Sequence, residues 1–387
     1  MFRLNRYKSE ETPPPPPSQR VLIIDMPDLV MRKILDEVDL VSIMKLRKVC
    51  CAFRNFIDDT KSDSKLKEIT IITKSDTIIV TYEYFLSKPL GKETPSKEIT
   101  VFYENNKKGC GIRFGKGRIK HINGRKAFDV FCEDMQTVLG NQKTKISHFF
   151  FYYREDELII EETPSPNFFQ KSLELVCCRR RSENMKTFVS QNTSSIAMYN
   201  QAFDFYLKIL KSRKHPLQVR YLRISVNGQD QLETLLKHMK STELKYLVIS
   251  DPRIEIYRTV ERELSLDTLK NFGNLNELAV FNFLITSSLE SLSHISKVHG
   301  KFKKITATEI LARKETHLKS GSLFIPWFRY WIKYDEFPDE SRLFELFGTP
   351  FDHFSGKTTW KFNYPKSKRN LEVSVSAAWN VEFYTCF

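Results

Sequence analysis

Phosphate cradling, metal ligation and nucleophilic catalysis each demand particular residue types at fixed spacing. The segment Gly109-Cys110-Gly111-Ile112-Arg113-Phe114-Gly115-Lys116-Gly117 has the glycine content of a phosphate loop. A dinucleotide fingerprint requires glycine where Phe114 stands. A P-loop requires Lys and then Ser or Thr after its last glycine, but Gly117 is followed by Arg118 and Ile119. The seven cysteines include the adjacent pairs Cys50-Cys51 and Cys177-Cys178 and no Cys-x-x-Cys, and the eight histidines are scattered. His294 and His299 are too isolated to suggest a zinc site, and neither Gly-x-Ser-x-Gly nor His-Glu-x-x-His occurs. The carboxylate pair Glu161-Glu162 fits a charged loop. Catalytic, cofactor-binding and metal-ligating residues are therefore expected to be absent, and the chain is read as a non-enzyme.

The chemistry that remains is docking. Within residues 26–57, Leu46, Val49, Cys50, Phe53, Phe56 and Ile57 fall on one helical stripe, with Lys45, Arg47, Lys48 and Arg54 on the other faces. Before them, Met26-Pro27 opens a segment in which Leu29, Val30, Ile34, Leu35 and Val38 recur near helical spacing; Leu40, Ile43 and Met44 follow Asp39. Two or three short helices of this kind are too small to hide so many apolar side chains, and the remainder marks a protein-binding face. Burying each such side chain is worth roughly 1.5–3 kcal/mol. Roughly three or four anchors offset the several kcal/mol that association costs. The anchors expected to meet a partner are Met26, Pro27, Ile34, Leu35, Leu40, Ile43, Leu46, Val49 and Phe53.

A second, electrostatic signal lies elsewhere. The chain carries a net charge of +14, and residues 107–126 hold eight Lys and Arg with no Asp or Glu. A basic, glycine-rich hairpin around Phe114 suits nucleic-acid phosphates, so a basic nucleic-acid-binding protein is the alternative reading. A solvated loop explains the same residues more simply, and nucleic acid is not the expected partner. Arg179-Arg180-Arg181 is too short to count as a localisation signal.

These segments need elements to carry them. Residues 1–20, with the run Pro13 to Pro17, are expected to be an extended, disordered tail, and residues 21–62 the helical unit. Residues 63–125 alternate as strands and hairpins do. From 126 to 320, helix-like stretches precede strands with apolar residues at positions 1, 4 and 6. These begin at Ile146, Val219, Leu244, Leu275 and Phe302. The last four starts are 25, 31 and 27 residues apart, within the range of leucine-rich repeats, although only the Leu275 unit ends in the expected Asn, Asn282. The expected fold is thus α+β or α/β: a small helical unit followed by a degenerate, leucine-rich-repeat-like helix–strand domain. Residues 321–387, rich in aromatics, are expected to cap it, with edge strands at Leu371–Val375 and Val381–Tyr384. Alternation puts Arg220, Arg223, Lys245 and Glu277 forward as partner-facing residues.

No window approaches the ~18–20 apolar residues of a membrane helix. The N-terminus lacks the apolar region of a secretory signal, and the cysteine pattern suits reduced thiols. An intracellular protein of cytoplasm or nucleus is expected.

The segment MPDLVMRKILDEVDLVSIMKLRKVCCAFRNFIDD resembles an F-box: a Leu-Pro-like pair at Met26-Pro27, Ile34-Leu35, the Asp39-Leu40 step, then Leu46, Val49 and an aromatic at Phe53. Met26 stands where Leu is usual and Phe53 where Trp is common, and both keep volume and apolar character. The longer stretches AFDVFCEDMQTVLGNQ and HPLQVRYLRISVNGQDQLETLLKHMKSTELKYLVIS make the chain similar to the nematode F-box A family, which pairs an F-box with an FTH domain. That resemblance implies the substrate-recognition subunit of an SCF-type ubiquitin ligase in the ubiquitin-like conjugation pathway. It would bind an Skp-type adaptor and, through it, a cullin, while the C-terminal domain selects an unidentified target protein.

Overall fold

The computed structural model describes residues 26–74, 76–86, 95–107, 109–153, 185–252, 261–319, 329–354, 356–365, 367–376 and 379–386. The proline tail, Glu161-Glu162, Cys177-Cys178 and Arg179–Arg181 lie outside them. The chain divides into two units, residues 1–62 and 63–387.

In the first unit, helix α1 spans Asp28–Glu37, α2 Leu40–Leu46 and α3 Cys51–Thr60. Pro27 precedes α1, where a missing N–H costs nothing. Asp39 caps α2 by accepting the Ser42 N–H at 2.8 Å. Leu35, Ile43 and Ile57, one from each helix, form the core, with Val38, Leu46 and Phe56 packed against it. Arg47 donates two hydrogen bonds to Asp58, at 2.8 and 3.0 Å, and so fixes the end of α2 to α3. The expected continuous stripe from Leu46 to Ile57 is broken. A turn, with Lys48 N–H on the Lys45 carbonyl and Val49 N–H on the Leu46 carbonyl, separates α2 from α3. A turn of this length leaves the apolar spacing readable as helix while rotating Val49 and Cys50 out to solvent.

Among its described residues, the second unit is built on one sheet of sixteen strands. In chain order these are β1 (Leu66–Thr73), β2 (Thr77–Phe85), β3 (Ser96–Asn106), β4 (Gly109–Phe114), β5 (Lys120–Asn123), β6 (Ile146–Tyr153), β7 (Val219–Ser225) and β8 (Tyr246–Ser250). They continue with β9 (Arg262–Leu264), β10 (Glu277–Ile285), β11 (Lys297–Lys304), β12 (Arg329–Glu336), β13 (Asp352–Phe354), β14 (Lys357–Asn363), β15 (Asn370–Ser376) and β16 (Asn380–Cys386). The helices are α4 (Ala127–Gly140), α5 (Met185–Ser212), α6 (Gln229–Lys237), α7 (Ala307–Lys319) and α8 (Arg342–Phe347).

Strands β1, β6, β7, β8, β10, β11 and β12 are parallel neighbours in that order. Antiparallel meanders extend both ends, β2 to β5 on one side and β16 to β13 on the other. On one face of the sheet, ring stacking shows a helix packed against it. There the rings of Tyr199, Phe203 and Tyr206 from α5 pack on Phe149 and Phe151. The apolar residues at positions 1, 4 and 6 of the strands are buried, as at Val219, Leu222, Ile224, Leu275, Leu278 and Val280. Polar ends are paired: Gln142 accepts from the Leu66 N–H at 3.0 Å and donates to its carbonyl at 3.2 Å.

The strands succeed one another as a repeat predicts, but their connections do not repeat. They range from the 28-residue α5 to short 3₁₀ turns at Asp267–Asn271 and Glu290–Leu292, where longer helices were expected. The Phe302 strand begins earlier, at Lys297, so the expected helix over 289–298 has no room. Asn282 is no repeat asparagine. It adopts φ 62 inside the irregular pairing between Ala279 and Leu284, a bulge position suited to Asn. Strands β15 and β16 are interior, each with two neighbours; the main strand order ends at β13 and β5, and β9 pairs with β10 alone among the described strands.

Candidate functional site

The expected anchors separate into two groups. Leu35 is 1% exposed, and Leu40, Ile43 and Phe53 are buried as well, while Ile34 and Leu46 are half-buried. These hold the helices together. Pro27 is exposed, Met26 is 37% exposed and Val49 66%. Two further apolar residues stand out of α1: Leu29 at 68% and Val30 at 42% exposure. The sequence contained their signal. With Met31 and Leu35 turned inward, Met26, Val30 and Ile34 follow one another at i, i+4 spacing and Leu29 flanks them, more apolar surface than one core stripe can use. Large apolar side chains left in water on so small a unit define its candidate docking surface.

In the second unit, burial shifts several titratable residues away from catalytic states. Burial, reinforced by Asp129 and Glu133, pushes the Cys132 thiol up to about 12, the opposite of an activated nucleophile. His299 is lowered to about 3 by burial and by Lys297, and His317 to about 4 by burial, Lys297 and Arg313. The Arg313 guanidinium is likewise buried and donates to the Leu292 carbonyl at 3.1 Å and to that of Ile295. Tyr103 donates to Asp134 at 2.9 Å, and burial holds its phenol far above the ordinary value. No group of three or more metal-ligating side chains occurs among the described residues. A cleft of about 440 Å³ is lined by Glu261, Lys301, Lys333, Tyr334, Asp335 and Trp379. Its Lys301 is already held by Glu261 at 2.5 Å and Asp335 at 2.8 Å. No described helix is long and apolar enough to cross a membrane.

Of the residues expected to face a target, Glu277 is withdrawn from that role. It is buried and accepts from Lys297 at 2.6 Å, a pair the sequence hides because its members are twenty positions apart. Arg223 lies over the Tyr152 ring at 4.9 Å, Arg220 is exposed, and Lys245 is half-buried just before β8. Beside them, opposite the α5 rings, Tyr221, Val248, Ala279 and Phe281 cluster with Phe150, Tyr246 and Trp331. In the basic segment, Arg113 sits over the Phe102 ring at 3.7 Å, and Arg125 is paired bidentately with Glu133 at 2.8 and 3.0 Å. Lys116, Arg118, Lys120 and Lys126 are exposed.

A small self-contained helical unit with exposed apolar side chains, joined to a large α/β sheet, has the composition of a docking module. The family comparison gives that module its name: an F-box domain matches residues 23–65 and an FTH domain residues 200–341. The chain therefore pairs an F-box domain with an FTH domain. The F-box match encloses α1 to α3, and the FTH match runs from within α5 through β12. No curated protein and no solved structure matches the chain.

Proposed function

We propose that this chain is the substrate-recognition subunit of an SCF-type E3 ubiquitin ligase. Its F-box helices would bind an Skp-type adaptor and, through it, a cullin; residues 63–387 would bind the protein to be ubiquitinated. The observation that carries the reading is the exposure of four apolar side chains, Met26, Leu29, Val30 and Val49, on a unit whose core is already filled by Leu35, Ile43 and Ile57. Such a unit gains nothing in its own folding from four solvent-facing apolar side chains, and gains affinity when a partner covers them. The contribution of the chain is binding, so ubiquitin transfer belongs to its partners, in cytoplasm or nucleus. Target selection is assigned to the sheet unit as a whole, because strands before residue 126 and after 320 continue the same sheet as those between. Its sequential parallel strands would serve as those of a leucine-rich-repeat-like domain do, with the face opposite the helices available for contact.

The test is capture of the full-length chain by purified Skp-type adaptor, comparing wild type with Leu29→Glu and Val49→Glu. Wild type should be retained and both variants lost, with unfolding midpoints unchanged. Charging Leu35 is uninformative, since it lies in the core. Absence of wild-type binding, or full binding by both variants, overturns the reading. Affinity purification with mass spectrometry would then report the target.

A further inference from the structure

We propose that the free edge of β5 accepts an extended acidic segment of a partner protein as an added strand. β5 pairs with β4, from Gly109 opposite Asn123 to Ile112 opposite Lys120, and with no other described strand. An edge strand turns the N–H and C=O groups of alternate residues outward without a partner. Those groups bind any extended backbone, and the flanking side chains decide which sequence is accepted.

The flanking side chains here are cations. Lys116 and Arg118 in the β4–β5 turn, Lys120 at the start of β5 and Lys126 just beyond it are all exposed. None of them is paired with a carboxylate among the described residues, in contrast to Arg113 and Arg125, which meet Glu104 and Glu133. A second copy of β5, or any basic strand, would bring like charges face to face and be repelled. A strand with Glu or Asp at alternate positions would meet the same ammonium and guanidinium groups as ion pairs. Ile119, exposed between Arg118 and Lys120, offers that strand an apolar contact.

Nucleic acid fits this edge less well. Phe114 is half-buried and no other aromatic residue but His121 lies in 107–126, so bases have little to stack on. The outward carbonyls of the edge also find no donor on a phosphodiester. Gly109 keeps β4 and β5 close: at φ +140, a Cβ there would collide with the Ile122 carbonyl oxygen. The proposal rests on the substrate-receptor reading only in identifying the partner as a target; the strand addition itself does not require adaptor docking.

The experiment uses the full-length chain and a fluorescent peptide of about ten residues alternating Glu and Val, followed by anisotropy at low salt. Two further peptides carry N-methyl groups on the even or on the odd backbone nitrogens. A Lys-for-Glu peptide and a single-stranded thymidine oligonucleotide complete the set. The acidic peptide should bind saturably and the Lys peptide should not. One methylated series should abolish binding and the other retain it, because an added strand uses the N–H groups of one alternate set. The triple variant Lys116→Glu, Arg118→Glu, Lys120→Glu should weaken binding by about tenfold or more while adaptor capture by the same preparation is unchanged. No saturable binding of the acidic peptide, equal effects of the two methylated series, an unaffected triple variant, or tighter binding of the oligonucleotide than of the peptide each overturns the proposal.

Discussion

Lowering the pH from about 8 to about 5 should cost the sheet unit about 4 kcal/mol through two histidines alone. His299 is fully buried on β11 and His317 nearly so on α7, with the Tyr330 ring 5.8 Å from one and 5.7 Å from the other. Burial first, then nearby cations, lowers them from 6.5 to about 3 and about 4. Both are neutral in the folded protein throughout this range. As pH falls through 6.5, the unfolded chain takes up protons that the folded protein refuses, so stability declines with falling pH. Each histidine contributes a slope of about 1.4 kcal/mol per pH unit, hence about 2 kcal/mol by pH 5. The loss levels off only as pH approaches the folded values. Carboxylates titrate in the same window, so the informative quantity is a difference. Urea unfolding at both pH values, for wild type and for His299→Gln with His317→Gln, isolates it. The double variant should start less stable and lose about 4 kcal/mol less on acidification. Equal losses within about 1 kcal/mol would show that the two imidazoles are not held neutral by burial.

Further outcomes are expected at single positions. Truncating Leu29 or Val49 to Ala, each about two-thirds exposed, removes roughly 1 kcal/mol of partner-covered surface, about a fivefold rise in Kd for the adaptor by calorimetry. Leu35→Ala should instead lower the unfolding midpoint of the helical unit. Lys297→Ala leaves Glu277 buried and unpaired, at about 3–5 kcal/mol by urea unfolding, whereas Lys297→Met with Glu277→Leu should recover most of that loss. Gly109→Ala should cost about 1–3 kcal/mol locally and accelerate amide exchange at residues 120–123 without changing adaptor capture.

What could be read in advance followed from period, and what could not followed from distance along the chain. The alternation in 68–73 and 77–82 yields β1 and β2, and the apolar positions 1, 4 and 6 yield β7, β8 and β10, because a strand's face is set by its own residues. The same pattern misplaced β11 by five residues, since Phe302-x-x-Ile305-x-Ala307 crosses the end of a strand into α7. In the F-box, helical spacing identified the apolar residues but could not divide core from surface. Leu35 and Val49 look alike in sequence, yet Leu35 packs against Ile43 and Ile57 while the turn at 47–50 leaves Val49 in solvent. Partners remote in sequence, such as Glu277 with Lys297 or Gln142 with Leu66, leave no periodic trace at all.

Net charge shows the same limit. A total of +14 describes the whole chain and selects no partner. Folding redistributes it: Lys301, Lys303, Lys357 and Lys361 are each matched by a carboxylate across the sheet, to Glu261, Glu263, Glu382 and Glu372. Such exposed pairs add little stability, but they cancel the field at close range. Lys116, Arg118, Lys120 and Lys126 receive no such match among the described residues, and they stand at an edge whose backbone is free to pair. Attraction there extends about a Debye length, roughly 8–10 Å at moderate salt, which is the reach of a neighbouring strand and not of a distant surface. The attribution of the excess charge to β5 therefore carries its own check. Raising salt should weaken acidic-peptide binding progressively and leave adaptor capture, proposed to use the apolar Leu29, Val30 and Val49, nearly unchanged. If both interactions weakened in parallel, the basic edge would have no separate role.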